Sequence, residues 1–139
     1  MLRVNGLSSG YEGAQVLHDV SFDVRAGEIV CLLGRNGAGK STCLKTIMGL
    51  ICASSGHVEC NGVEVSRLPA NEVPRHGIGY IPQGRQLFAE LTVAENLEIG
   101  LMVGNRDHEF REQVLEMFPR LRERLNPVSY THLTLPTTY

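Results

Sequence analysis

Gly34-Arg35-Asn36-Gly37-Ala38-Gly39-Lys40-Ser41-Thr42 satisfies the pattern G-x-x-x-x-G-K-[S/T] at every fixed position. Glycines at this spacing let consecutive backbone N–H groups point into one concavity, which suits an anion. The residues from Lys40 onward read as a helix, and a helix start presents unpaired N–H groups and a positive dipole end to the same anion. Lys40 adds a point charge that reaches terminal phosphates, and the Ser41 hydroxyl is placed to ligate Mg²⁺. The flanks agree. Glu28-Ile29-Val30-Cys31-Leu32-Leu33 is a continuous apolar run, as in a strand buried on both faces of a parallel sheet. Lys40 to Met48 is helical in pattern and is stopped by Gly49. Strand, glycine loop and helix in that order predict an α/β nucleotide-binding core.

Working outward, residues 2–7 and 16–25 alternate apolar and polar side chains and predict two strands. Ser8-Ser9-Gly10-Tyr11-Glu12-Gly13 is expected to be the loop between them. Asn61-Gly62 between His57-Val58-Glu59-Cys60 and Val63-Glu64-Val65 predicts a tight hairpin with a primed turn. Pro69 to His76 reads as a short helix or loop, and Ile78-Gly79-Tyr80-Ile81 as a short strand ended by Pro82. Thr92 and Glu95 have capping-box spacing ahead of a helix expected from Val93 to about Met102. A further helix spans roughly Asp107 to Leu125, with Phe110, Val114, Met117, Leu121 and Leu125 on one stripe; Pro119 should kink or split it.

A chain of 139 residues is long enough for one domain with one core. A net charge of −2 gives no general pull toward nucleic acid or anionic lipid, and no nucleic-acid partner is expected. No apolar run is long enough to cross a bilayer, and the first residues lack a signal-peptide layout, so the chain is expected in the cytoplasm. Cys31, Cys43, Cys52 and Cys60 form no C-x-x-C pair and are expected to be reduced and mostly buried.

The motif with its surroundings closely resembles the ABC-type ATPases, over residues 1 to about 126. The resemblance implies an α/β P-loop NTPase core, in its N-terminal portion, with an antiparallel β subdomain and the start of a helical subdomain. It implies ATP and Mg²⁺ as cofactors. Gly34, Asn36, Gly37, Ala38, Gly39, Lys40, Ser41 and Thr42 would hold the phosphates, with Ser41 at the metal. Tyr11 sits where the family has an aromatic residue stacking on adenine, an interaction worth about 1–3 kcal/mol per base. Gln83, in Gly79-Tyr80-Ile81-Pro82-Gln83, matches the family's glutamine that approaches Mg²⁺ and the attacking water, so Gln83 and Lys40 are the expected catalytic residues. Arg85 and the helix after Thr92 are candidates for coupling to membrane subunits.

Three stretches resemble the ATPase subunits of branched-chain amino acid importers: Pro82-Gln83-Gly84-Arg85-Gln86-Leu87-Phe88, Leu91-Thr92-Val93-Ala94-Glu95-Asn96-Leu97 and Met117-Phe118-Pro119-Arg120-Leu121. Urea importers share much of this pattern. The implied partners are a second ATPase subunit and membrane permease subunits on the cytoplasmic side of the inner membrane, without contact to the transported solute. The sequence holds no L-S-G-G-Q-like signature and no apolar strand ending in Asp-Glu, and His132 matches no switch histidine. The chain is therefore expected to be the N-terminal part of an ATPase domain, residues 1–126, which binds nucleotide and lacks the carboxylate needed for turnover. Residues 127–139 are expected to be a non-native read-through tail. Val128 to Leu133 can be encoded by GTC-TCT-TAT-ACA-CAT-CTG, which resembles a transposase end sequence used in making sequencing libraries. A different phosphate-loop protein, such as a small-molecule kinase or a GTPase, would carry its base-recognition motif downstream instead of Tyr11 upstream.

Overall fold

The computed structural model describes residues 1–84, 86–104 and 108–126. They fall into two units, Met1–Tyr80 and Ile81–Tyr139. The expected tail, with His132, lies outside the described residues, as does Arg85.

The first unit is built on a four-stranded antiparallel sheet in the order β2-β1-β3-β4. Strand β1 spans Leu2–Tyr11, β2 Ala14–Val24, β3 Ala53–Cys60 and β4 Val63–Glu64. Alternation sends Val4, Leu7, Leu17, Val58 and Cys60 to one face, where they are buried. Helix α1, Lys40–Ile47, lays Cys43, Ile47 and the adjoining Met48 on that face, and Val65 and Val73 complete the cluster. Each fully buried aliphatic side chain of this kind contributes about 1.5–3 kcal/mol. One polar contact crosses the core. Thr46 donates its hydroxyl to the Thr42 carbonyl (2.8 Å), which leaves its oxygen to accept from Ser9 Oγ at 2.7 Å. Sheet and helix are thus locked in register where a purely apolar contact could slide.

The β1–β3 ladder breaks between Asn5 and Ser8. At the break Gly56, at φ 81°, runs so close to Gly6 that an added Cβ would lie 2.3 Å from the Gly6 carbonyl oxygen. Only glycine fits there. The Asn61-Gly62 turn forms as expected, with φ 49° and 84°. A second primed turn, Glu12-Gly13 (φ 45° and 87°), joins β1 to β2. Here the expectation is corrected: residues 8–11 continue the strand, and the loop shrinks to two residues.

Two expected strands do not form among the described residues. Residues 28–33 make no ladder, and Ile29 and Leu33 are each 91% exposed. Residues 78–81 likewise pair with nothing, and Ile81 is 95% exposed. An apolar run becomes a strand only when another strand takes its N–H and C=O groups. The described antiparallel strands are satisfied by one another, and the parallel neighbours that such runs require are not among them.

In the second unit α2 spans Val93–Gly104, α3 His108–Met117 and α4 Pro119–Arg122. The expected split at Pro119 is present, with Phe118 at φ −128°, ψ 74° between two helices. The predicted stripe needs one correction. Met117 is 72% exposed, while Leu115, off the predicted stripe, is buried. No helix among the described residues is long and apolar enough to cross a membrane.

Candidate functional site

The loop ahead of α1 is shaped by glycine. Gly37 and Gly39 sit at φ 84° and 88°, the left-handed region that other residues enter only at a cost. Gly39 is also the N-cap of α1, and no side chain caps that end. A Cβ on Gly39 would approach Leu17 Cδ2 to 2.8 Å, so the loop is seated against the start of β2 at its tightest point. Within the loop Ala38 donates its amide to the Arg35 carbonyl (3.1 Å), which closes a turn. Among the described residues, the amides of Gly37, Gly39, Lys40 and Ser41 have no hydrogen-bond acceptor in the protein. Four donors thus stand at a helix start with no internal partner, as an anion site requires. The donor set fits a polyphosphate.

Lys40 Nζ donates to the carbonyl oxygens of Gly34 and Arg35, both at 2.8 Å. The ammonium lies over the loop and gives it a positive centre. The Ser41 side chain is exposed and makes no hydrogen bond among the described residues, while Thr42 is buried at 7% exposure beneath the loop. Ser41 is thus the hydroxyl free to meet a metal, and the contribution of Thr42 is its amide and its packing.

Tyr11 is the last residue of β1, 46% exposed, and pairs with Ala14 across the Glu12-Gly13 turn. The same hairpin carries Val16 and Leu17, the residues that touch Gly39. The hairpin therefore brings the tyrosine and the glycine loop to one end of the first unit. Val16 and Leu17 escaped the sequence reading, because their alternation signals only a strand and nothing local says what the strand will touch.

Gln83 belongs to the second unit, at a bend with Gly84 at φ 92°. A clip that sequence reasoning missed follows it. The Asn96 side chain accepts the Phe88 amide (3.0 Å) and donates to the carbonyls of Phe88 (3.0 Å), Leu91 (3.4 Å) and Thr92 (3.0 Å). The sole signal was an amide one turn inside a capped helix. The capping box is formed in full. Glu95 Oε2 accepts the Thr92 amide and hydroxyl, each at 2.8 Å, and the Thr92 oxygen accepts the Glu95 amide at 3.2 Å. These bonds to the Thr92 amide and hydroxyl pull the Glu95 carboxyl below its ordinary value. All four cysteines are free thiols; Cys43 and Cys60 are buried, but Cys31 and Cys52 are exposed, against expectation. Burial raises the Cys43 pKa, which keeps that thiol protonated behind the loop.

Comparison with known proteins follows this geometry. The family described as ABC transporter matches residues 17–135, past Asn126. The high-affinity branched-chain amino acid transport ATP-binding protein BraG of Pseudomonas aeruginosa is 45% identical over 126 residues, which is 89% of this chain and 54% of that protein. The probable branched-chain amino acid transport ATP-binding protein LivF of Archaeoglobus fulgidus is 41% identical over 125 residues, 88% of this chain and 52% of that one. A solved structure of an ATP-binding subunit of an ABC transporter superposes with a TM-score of 0.81 at 38% identity, covering 92% of this chain and 54% of its own. Fold and site together define the N-terminal part of a P-loop NTPase. The chain belongs to the ABC transporter family, as an ATP-binding domain. It spans about half the length of the curated relatives it matches.

Proposed function

We propose that this chain is the nucleotide-binding part of the ATPase subunit of an ABC importer, and that MgATP binding and hydrolysis by the whole subunit drive uptake of branched-chain amino acids. The observation that carries the nucleotide reading is the set of unpaired amides at Gly37, Gly39, Lys40 and Ser41 beneath the Lys40 ammonium. Gly34, Asn36, Gly37, Ala38, Gly39 and Thr42 would shape and line the phosphate cradle, Lys40 would meet the terminal phosphates, and Ser41 would ligate Mg²⁺. Tyr11 would stack on adenine, and Gln83 would orient water near the metal, as an uncharged amide can. A second ATPase subunit would close over the phosphates. Permease subunits would hold the pair at the cytoplasmic face of the inner membrane, through Arg85 and the start of α2. The ATPase would not touch the solute.

The identity to two branched-chain amino acid transport proteins supports that solute class. A urea importer is the alternative, and neighbouring genes decide between them: urea-importer components beside this gene would overturn the amino-acid reading. The alternative for the 139 residues themselves is nucleotide binding without turnover, a reading that rests on the lack of an apolar run ending in Asp-Glu in this sequence. Titration of the chain with a fluorescent ATP analogue should show Mg²⁺-dependent binding that Lys40→Ala weakens at least tenfold. Turnover that Lys40→Ala removes would defeat the fragment reading, and binding indifferent to Lys40 would defeat the site. The boundary near Asn126 is part of the same proposal. Genomic DNA with a native codon run through residues 127–139 would overturn it.

A further inference from the structure

We infer that Asn96 is a positioning residue that fixes the exit of the loop carrying Gln83, an inference that rests on the role proposed above for that glutamine. The described residues of the segment from Ile81 to Phe88 bury little. Ile81 is 95%, Leu87 48% and Phe88 57% exposed, so apolar packing does not hold this segment in place. Gly84, at φ 92°, adds a point of backbone freedom beside Gln83. What restrains the segment is polar. Asn96 accepts the Phe88 amide and returns a donor to the Phe88 carbonyl, so one side chain holds both backbone groups of one residue. Its amide nitrogen also reaches the Leu91 and Thr92 carbonyls, and Leu91 donates back to the Phe88 carbonyl at 3.1 Å.

A side-chain amide is the chemistry this task needs. It offers an acceptor and two donors from one rigid plane, and it meets a strand-like N–H and C=O pair as another backbone would. Asn96 lies one turn inside α2, behind the Thr92–Glu95 box, so its own position is fixed by the helix. Phe88 is five positions beyond Gln83. Release of Phe88 would let the exit of the loop swing and spread the positions available to the glutamine amide. The expected signature is therefore selective: loss of the metal-dependent part of nucleotide affinity, with the phosphate-loop part intact.

The test uses the full chain with ATP as the probe, measured with Mg²⁺ and with EDTA, alongside amide hydrogen exchange. Asn96→Ala should speed exchange of the Phe88 amide at least tenfold and cut the Mg²⁺-dependent gain in affinity at least threefold. Affinity in EDTA should stay within twofold. Asn96→Asp keeps the acceptor for the Phe88 amide but loses the donors, so it should keep Phe88 protected while still losing part of the Mg²⁺ gain. It also serves should the alanine variant melt α2. Gln83→Ala separates the two claims. If it leaves the Mg²⁺ gain unchanged, the role of Gln83 fails and this inference falls with it. If Gln83→Ala removes the gain while both Asn96 variants retain it, the inference alone is overturned.

Discussion

At the residue scale the decisive groups are Gly39, Lys40 and Glu95. Gly39 combines a left-handed backbone with a neighbour 2.8 Å from where a Cβ would sit. Gly39→Ala should therefore cost about 1–3 kcal/mol of stability by denaturant titration, from backbone strain with added steric conflict. It should also weaken ATP binding, because the loop would lift from Val16 and Leu17. Lys40→Ala should lower ATP affinity at least tenfold, in keeping with the loss of about 1.5–3 kcal/mol from a charged hydrogen bond. Glu95 sets a pH dependence whose sign follows from its bonds. Its carboxyl is stabilised in the ionised form by the Thr92 amide and hydroxyl, so its folded pKa lies below the unfolded one. The stability it contributes is fully present above the unfolded value and is lost as pH falls through the lower, folded one. Helical circular dichroism followed on acidification should show this loss in the native chain, and Glu95→Gln should flatten it.

At the element scale the sequence announced those pieces whose cause is local. The Lys40 helix with its stop at Gly49, the Asn61-Gly62 turn, the Thr92–Glu95 box and the break at Pro119 each depend on residues within a few positions of one another, and each is present. Thr92→Ala should cost about 1 kcal/mol in thermal or denaturant unfolding, the usual worth of a cap. Elements whose cause is distant were not legible. That residues 8–11 continue β1 follows from pairing with Leu17, Gln15 and Ala14 on one side and Ser55 and Ala53 on the other. Residues 28–33 and 78–81 carry the apolar pattern of buried strands, but pattern alone supplies no hydrogen-bond partner. The site divides in the same way. The phosphate loop could be read from its spacing, whereas the contacts of Gly39 with Val16 and Leu17, and of Asn96 with Phe88, arise only when separate segments meet.

At the scale of the whole molecule, the most exposed large apolar side chains among the described residues are Ile29, Leu33 and Ile81, each more than nine-tenths exposed. Exposed apolar backbone of this kind promotes association. A hydrophobic dye should fluoresce with the native chain, and Ile29→Lys should reduce that signal and delay turbidity while ATP affinity stays within twofold. An unchanged dye signal would show that this segment is covered in solution. The grip of Lys40 on the Gly34 and Arg35 carbonyls has a kinetic consequence of its own. The loop keeps its curvature by an internal latch, so nucleotide arrival swaps two neutral acceptors for phosphate oxygens and need not fold anything. Stopped-flow mixing should then give one phase whose rate rises linearly with nucleotide concentration, without the plateau that a slow rearrangement imposes.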